Sequence, residues 1–164
     1  MYMDFVFSEK QYIRIWWIRI LVGIIALGMW VGFVIQIFFH IPFGNNPAPD
    51  WAMYPMTLLI GAVFPWFFFN THLKIQVSGK QLNMRYFPFV NKVYTHVDIA
   101  QATPTTFRPI REHGGWGIKY SINGVWIYTA YGNAGVEILF RDGKKIIIGS
   151  QRPDELASAV NGLH

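Results

Sequence analysis

The sequence predicts an α+β, mainly β membrane protein: a two-helix transmembrane hairpin followed by an antiparallel β domain that a C-terminal helix caps. Three observations predict this class. No Lys or Arg occurs between Arg19 and Lys74, and this stretch holds two apolar blocks, each about as long as a helix that crosses a bilayer. From Leu73 onward, apolar and polar residues alternate with the period of half-buried strands. The last residues return to helical spacing.

Composition agrees with this class. The chain has 164 residues, enough for the hairpin and one modest domain, and only 14% of them are charged. An ordinary soluble domain has about 25% charged residues. There is no cysteine, which excludes a disulfide scaffold, a cysteine zinc site and a catalytic thiol.

The first span is predicted at about residues 14–39, with its apolar block at Ile20–Phe39. Ser8 and Gln11 have the spacing of a helix capping box, so the helix is expected to begin near Glu9. Trp and Arg side chains in its early turns suit the headgroup region of a membrane.

The second span is predicted at about residues 51–70, after a turn rich in Pro and Asn at residues 40–50. Asp50 is the expected N-cap. Pro55 falls near the first turn, where proline is tolerated. Pro65 falls inside the helix and should distort it, because proline has no backbone N–H to donate.

The orientation follows from positive charge. Lys10, Arg14 and Arg19 precede the apolar block of the first span. Lys74 and Lys80 follow the second span, and the connecting loop has no Lys or Arg. Because cytoplasmic flanks carry the excess of basic residues, both termini are predicted to be cytoplasmic.

Alternating segments then predict short strands, at 73–77, 82–86, 118–122, 126–130, 136–140 and 145–148. Asp142-Gly143 between two of them is a strong hairpin signal. The last element is predicted as a helix from about Pro153 to Gly162, with Leu156, Ala159 and Val160 buried.

About seven short strands closed by one helix is the order of a pleckstrin-homology-like (PH-like) barrel. Four segments, GGWGIKY (114–120), GVEI (135–138), DGKK (142–145) and IGSQRPDEL (148–156), resemble the bacterial PH-domain membrane proteins. The resemblance covers roughly residues 70–164. It implies a multi-pass protein of the bacterial inner membrane, with residues 1–72 forming the N-terminal segment and hairpin and residues 73–164 a cytoplasmic PH-like barrel or sandwich. It brings no set of catalytic residues.

Helix packing is expected at three small residues, Gly28 and Gly32 in the first span and Gly61 in the second, because small residues let helix backbones approach closely. Two readings stay open: packing within one hairpin, or contact with another subunit or a second copy of the chain.

No catalytic, cofactor-binding or metal-binding residues are predicted. The five histidines lack ligand spacing, and no carboxylates pair as acid and base. Two functions from different classes remain. The first is a non-catalytic interaction or accessory subunit of a membrane complex, with Trp116, Trp126 and Tyr131 as its partner surface. The alternative is a sensor of acidic phospholipid headgroups that uses Lys80 and Arg85. Nucleic acid is not an expected partner.

Overall fold

The computed structural model describes residues 5–13, 15–107, 115–121 and 124–162. The chain forms two compact units. One contains residues 14–70 and is called the helical unit. The other contains residues 1–13 and 71–164 and is called the β unit.

The helical unit has two long helical segments. In the first, α1 (Trp16–Phe33) continues into a π-helical turn at Val34–Phe38. In the second, α2 (Asp50–Leu58), a π-helical turn (Leu59–Val63) and α3 (Phe64–Asn70) follow one another. Both segments, Trp16–Phe38 and Asp50–Asn70, are long and apolar enough to cross a membrane, judged by length and composition.

The distortion expected at Pro65 is visible as the π-helical turn that ends two residues before it. In a regular α-helix, the N–H of residue 65 would donate to the carbonyl of Gly61. Proline has no N–H, so that carbonyl needs another donor. The indole Nε1 of Trp30 on α1 supplies it, at 3.1 Å from the Gly61 oxygen.

The β unit has nine described strands in two sheets. They are β1 (Phe5–Tyr12), β2 (His72–Ser78), β3 (Gln81–Phe87), β4 (Val90–Thr95), β5 (Ile99–Thr106), β6 (Gly117–Tyr120), β7 (Trp126–Thr129), β8 (Ala134–Phe140) and β9 (Lys145–Gly149). The first sheet has the order β1-β2-β3-β4, and the second has the order β5-β8-β9-β7-β6. Every neighbouring pair is antiparallel except β7 and β9. Among the described residues the two sheets share no strand, so they do not close into a barrel.

One core lies between the sheets and the C-terminal helix α4 (Pro153–Asn161). It contains apolar residues of β2, β3, β8 and β9, together with Leu156 and Val160 of α4. Both helix residues are buried as predicted, but Ala157 is also buried whereas Ala159 is only partly so. The helix therefore presents a slightly rotated apolar face to the sheets.

The N-terminal segment corrects the predicted helix start. Ser8–Gln11 is part of β1, not of a helix that begins near Glu9. Phe7 and Gln11 point inward and are buried, and the Gln11 amide donates to the carbonyl of Gly149 at 2.8 Å. Alternate side chains of β1 are buried because successive side chains of a strand point to opposite faces. Pairing with β2 outweighs the local capping-box pattern.

β1 pairs with β2 over its whole length, from Phe5 opposite Ser78 to Tyr12 opposite His72. The chain leaves the β unit after Tyr12 and returns to it just before His72. Opposite residues of an antiparallel pair lie about 5 Å apart. Both connections to the helical unit are therefore at the same end of the same pair of strands.

Candidate binding surfaces

The predicted helix-packing glycines have three different surroundings. A Cβ added at Gly61 would lie 3.0 Å from the Trp30 indole nitrogen, so this glycine does sit against α1. A Cβ at Gly32 would lie 2.8 Å from the ring of Phe43, in the loop between the helices. A Cβ at Gly28 would meet nothing within 4 Å. Gly28 and Gly32, four residues apart on α1, thus differ, since of these two only Gly32 is in a close contact.

The three aromatic residues predicted as a partner surface lie in two places. Trp116 donates its indole N–H to the carbonyl of Gly132 at 2.8 Å, beside Tyr131. Trp126 begins β7, and its ring lies 4.9 Å from that of Tyr120. Tyr131 follows Trp126 by five positions of mostly extended chain, so the two residues lie roughly 16 Å apart.

A cleft of about 760 Å³ opens beside Trp126, a volume within the range of ligand pockets. Its walls come from the edge strand β4, from β6 and β7, and from the β8–β9 hairpin. The aromatic lining residues are Tyr94, Tyr120, Trp126 and Phe140, and the basic ones are Lys92, Arg141, Lys144 and Lys145. Four cations against two acids, Asp98 and Asp142, leave a lining charge of +2.

In the described structure, two of the four basic residues of the cleft form ion pairs and the other two do not. Lys144 lies 2.6 Å from Asp142, and Lys145 lies 2.8 Å from Glu137. The hydrogen bond from Lys144 lowers the pKa of Asp142, and the same bond raises the pKa of Lys144, so both stay charged over a wide pH range. Lys92 and Arg141 form no ion pair with any residue that the structure describes. They are the cations available to an anionic ligand.

The cleft also borders two strands that are at sheet edges among the described residues. β4 is the last strand of the first sheet and β6 is the last strand of the second. An edge strand presents backbone N–H and C=O groups to which an extended peptide can add as a further strand. The cleft is therefore suited to an extended segment with acidic and apolar side chains.

The two residues predicted for lipid contact, Lys80 and Arg85, lie far apart along one hairpin. Lys80 is in the β2–β3 turn, whereas Arg85 lies near the other end of β3, two residues before its last residue Phe87. Both are exposed. They do not form one basic site.

Arg85 belongs instead to a row of cations. It lies directly opposite Lys74 on β2, and Lys74 lies directly opposite Lys10 on β1. Directly opposite residues share a face of the sheet. Lys10, Lys74 and Arg85 therefore form a line across three strands on the outer face of the first sheet, which is called the cationic row.

An aromatic row lies beside the cationic row, two residues further along each strand. It consists of Tyr12, His72 and Phe87, which are directly opposite one another. The Tyr12 and His72 rings are 5.4 Å apart, and the His72 and Phe87 rings are stacked at 5.4 Å. This row is at the end of the sheet from which the chain continues into the helical unit.

The sequence prediction missed Lys10 and Lys74 because it assigned the segment around Lys10 to a helix. The sequence offers little signal here, because Phe7–Tyr12 holds four consecutive polar residues and lacks the apolar–polar alternation of Leu73–Val77. Read as two strands, these segments would have placed basic and aromatic residues on one face.

Among the described residues, no group of three or more His, Asp or Glu side chains is placed to hold a metal ion. Comparisons of the chain with protein-family models, with curated proteins and with solved structures found no match. The functional argument therefore depends on the two surfaces described above.

Proposed function

We propose that this protein is a membrane-anchored interaction subunit without catalytic activity. Its PH-like β unit would bind an acidic, extended segment of a partner membrane protein at the cytoplasmic face of the bacterial inner membrane. The observation that carries the proposal is the cleft beside Trp126, which combines aromatic walls, an excess of cations and two strands at sheet edges among the described residues.

The anchoring part of the proposal is supported by the helical unit. Its two long segments expose large apolar side chains, such as Leu27 and Trp51, over most of their surface. A continuous exposed apolar surface is costly in water and favourable in lipid. The PH-like part is supported by the order of the elements, since two antiparallel-rich sheets are followed by one C-terminal helix in a single core.

The pairing of β1 with β2 supports one further aspect of the topology. Because both connections leave the same end of this strand pair, two spans that cross the membrane would return the chain to the side from which it started. The basic residues that flank the spans favour the cytoplasm as that side.

The test compares Trp126→Ala with Tyr131→Ala in the full-length protein. Trp126 lines the cleft and is 42% exposed, whereas Tyr131 is 41% exposed but lies beyond the other end of β7. The tagged variants are purified in mild detergent, and the subunits that remain bound are quantified by native mass spectrometry. Since an aromatic hot-spot residue contributes at least about 2 kcal/mol, Trp126→Ala should weaken retention roughly 30-fold.

Tyr131→Ala should leave partner retention unchanged. Near-UV circular dichroism of both variants establishes that the β unit is folded. If folded Trp126→Ala retains its partner as well as the parent protein does, or if both variants lose it equally, the cleft is not the partner site.

A further inference from the structure

The cationic row contains an arrangement that a sheet ordinarily avoids. Like charges directly opposite one another on neighbouring strands repel and destabilise the pairing. Here three positive charges stand side by side, and no described residue of β1–β4 on this face is Asp or Glu. In the described parts of the chain, none of the three cations forms an ion pair.

The cleft shows how cations are compensated elsewhere in the same β unit. Lys144 and Lys145 each contact a carboxylate within 3 Å. The cationic row lacks such partners although Glu9 is close by in sequence, because Glu9 points to the opposite face and accepts hydrogen bonds from Ser150 and Gln151. Within the described residues, the outer face of the first sheet therefore has positive charge without an acidic partner, and an external anion would neutralise it.

The directions in which the cations of the cationic row point indicate which kind of anion would bind there. The Lys10 ammonium lies 4.8 Å from the centre of the Tyr12 ring, and the Arg85 guanidinium lies 5.4 Å from that of Phe87. Both cations thus lean toward the aromatic row, at the end of the sheet where the chain joins the helical unit. Proteins that contact lipid headgroups present aromatic rings nearest the spans and basic groups next to them.

This end of the sheet is close, along the chain, to both helical segments. Tyr12 is four residues before the start of α1, and His72 is two residues after the end of α3. Few residues therefore separate the aromatic row from the segments that we propose to be anchored in the membrane. The cationic row follows about 7 Å further along the strands.

We infer that the outer face of the first sheet is a docking surface for anionic phospholipid headgroups, with Lys10, Lys74 and Arg85 as the residues that contact phosphate. This surface differs from the cleft and needs no protein partner, but it depends on the membrane anchoring proposed above. Lys80 takes no part in it, because it lies at the far end of the β2–β3 hairpin.

The absence of cysteine permits a direct experiment on the full-length protein. A single cysteine carrying a nitroxide is introduced by Asn91→Cys, since Asn91 is exposed on β4 directly opposite Arg85. A matched label at Thr103→Cys reports from an exposed position on β5 of the second sheet. The protein is reconstituted in nanodiscs of phosphatidylcholine, alone or mixed with phosphatidylglycerol, and access of a water-soluble nickel chelate to each label is measured.

We expect the label at residue 91 to be protected in nanodiscs that contain phosphatidylglycerol, and the label at residue 103 to remain accessible. About 1 M salt should remove the protection, because it shortens the screening length to about 3 Å. Each basic residue near an anionic surface changes the docked-to-free ratio about fivefold. The combined variant Lys10→Gln, Lys74→Gln and Arg85→Gln should therefore lower that ratio about 100-fold.

The charge-matched control is Lys119→Gln, Lys144→Gln and Lys145→Gln, which removes three positive charges elsewhere in the β unit and should leave the protection unchanged. Equal protection in neutral and anionic nanodiscs, equal loss in both triple variants, or protection that grows with protein concentration would overturn the inference.

A separate measurement shows whether the protein is anchored in the membrane. Protein that is extracted from phosphatidylglycerol-containing vesicles by alkaline carbonate is not anchored, and this result would overturn both proposals. Protein that stays in the membrane while the label at residue 91 remains fully accessible would overturn the headgroup surface alone.

Discussion

The helical unit and the β unit differ in how much of their apolar side chains they bury. In the β unit, apolar residues such as Ile75 and Leu156 are completely buried. In the described part of the helical unit, most large apolar side chains are exposed, Leu27 to 65%. The few buried side chains there are two apolar ones and two polar ones: Val22, Met53, Gln36 and Thr57. The Gln36 amide donates to Asp50 Oδ1 at 2.8 Å and to the carbonyl of Ala48 at 2.7 Å.

This difference is the one expected from the proposed membrane anchoring, because lipid would then surround the helical unit and water the β unit. Burial of apolar surface stabilises a fold only when the surface would otherwise face water. Lipid is as apolar as leucine, so helices in a bilayer associate through close packing and polar contacts instead. The Trp30–Gly61 and Gln36–Asp50 hydrogen bonds are contacts of that kind. The predictions below test whether the two units obey these different rules.

The largest expected difference is between two leucine-to-alanine substitutions. Leu156→Ala removes a completely buried side chain from the core of the β unit and should cost about 2–5 kcal/mol of unfolding free energy. Leu27→Ala removes a largely exposed side chain of α1 and should change stability little in a membrane-like environment. Hydrogen exchange of the protein in nanodiscs, read by mass spectrometry, measures the opening of each unit separately.

The same experiment can contradict the comparison. If Leu27→Ala destabilises the helical unit as much as Leu156→Ala destabilises the β unit, then the apolar surface of α1 is covered in the native state. That result would favour a protein partner around the hairpin rather than lipid.

A second difference between the units is expected at alkaline pH. Burial raises the pKa of Tyr86, in the core of the β unit, to about 12, compared with about 10 for an exposed tyrosine. The folded state therefore keeps its proton where the unfolded state loses it, so stability falls as pH rises from about 10 to about 12. The expected loss is roughly 2 kcal/mol at the upper end. No tyrosine is buried in the described part of the helical unit, so exchange there should not follow this curve.

Tyr86→Phe is the matched variant for this experiment. It removes the hydroxyl that donates to the carbonyl of Thr129 at 3.3 Å, and should cost about 1 kcal/mol at neutral pH. Above pH 10 its stability should fall less steeply than that of the parent protein. Identical slopes for the two proteins would show that another group controls alkaline unfolding. Tyr94 is the first alternative, since burial and the nearby Tyr128 raise its pKa to about 12 as well.

Strands were predictable from the sequence where the signal lies within one short segment. They were not predictable where it depends on a distant segment. Strands β8 and β9 were predicted because a short Asp-Gly turn joins two alternating segments. Strand β5 was missed because it contains Pro104, which is tolerated there since β5 is at an edge of its sheet. Strand β1 was missed because its partner β2 lies sixty residues away, beyond the hairpin.

The candidate surfaces were predictable only in part for the same reason. Trp126 and Arg85 were identified by residue type and exposure, which are local properties. Their neighbours, Lys92 and Arg141 at the cleft and Lys10 and Lys74 in the row, are brought close by strand pairing and by the approach of the two sheets. A single sequence contains no local pattern that specifies these pairings.

The smallest expected effect is a difference in unfolding free energy between two lysine substitutions in the β unit. Lys74 stands between two other cations, so Lys74→Gln should raise the unfolding free energy by about 0.2–1 kcal/mol in neutral nanodiscs. Lys145 contacts Glu137 at 2.8 Å with both side chains partly exposed, so Lys145→Gln should lower it by at most about 1 kcal/mol. Urea unfolding, followed by hydrogen exchange in the β unit, measures both changes. In nanodiscs containing phosphatidylglycerol, the gain from Lys74→Gln should disappear, because the lipid then compensates the charge that the substitution removes. A gain of the same size in both lipids would mean that the repulsion across the row is real but that headgroups do not relieve it.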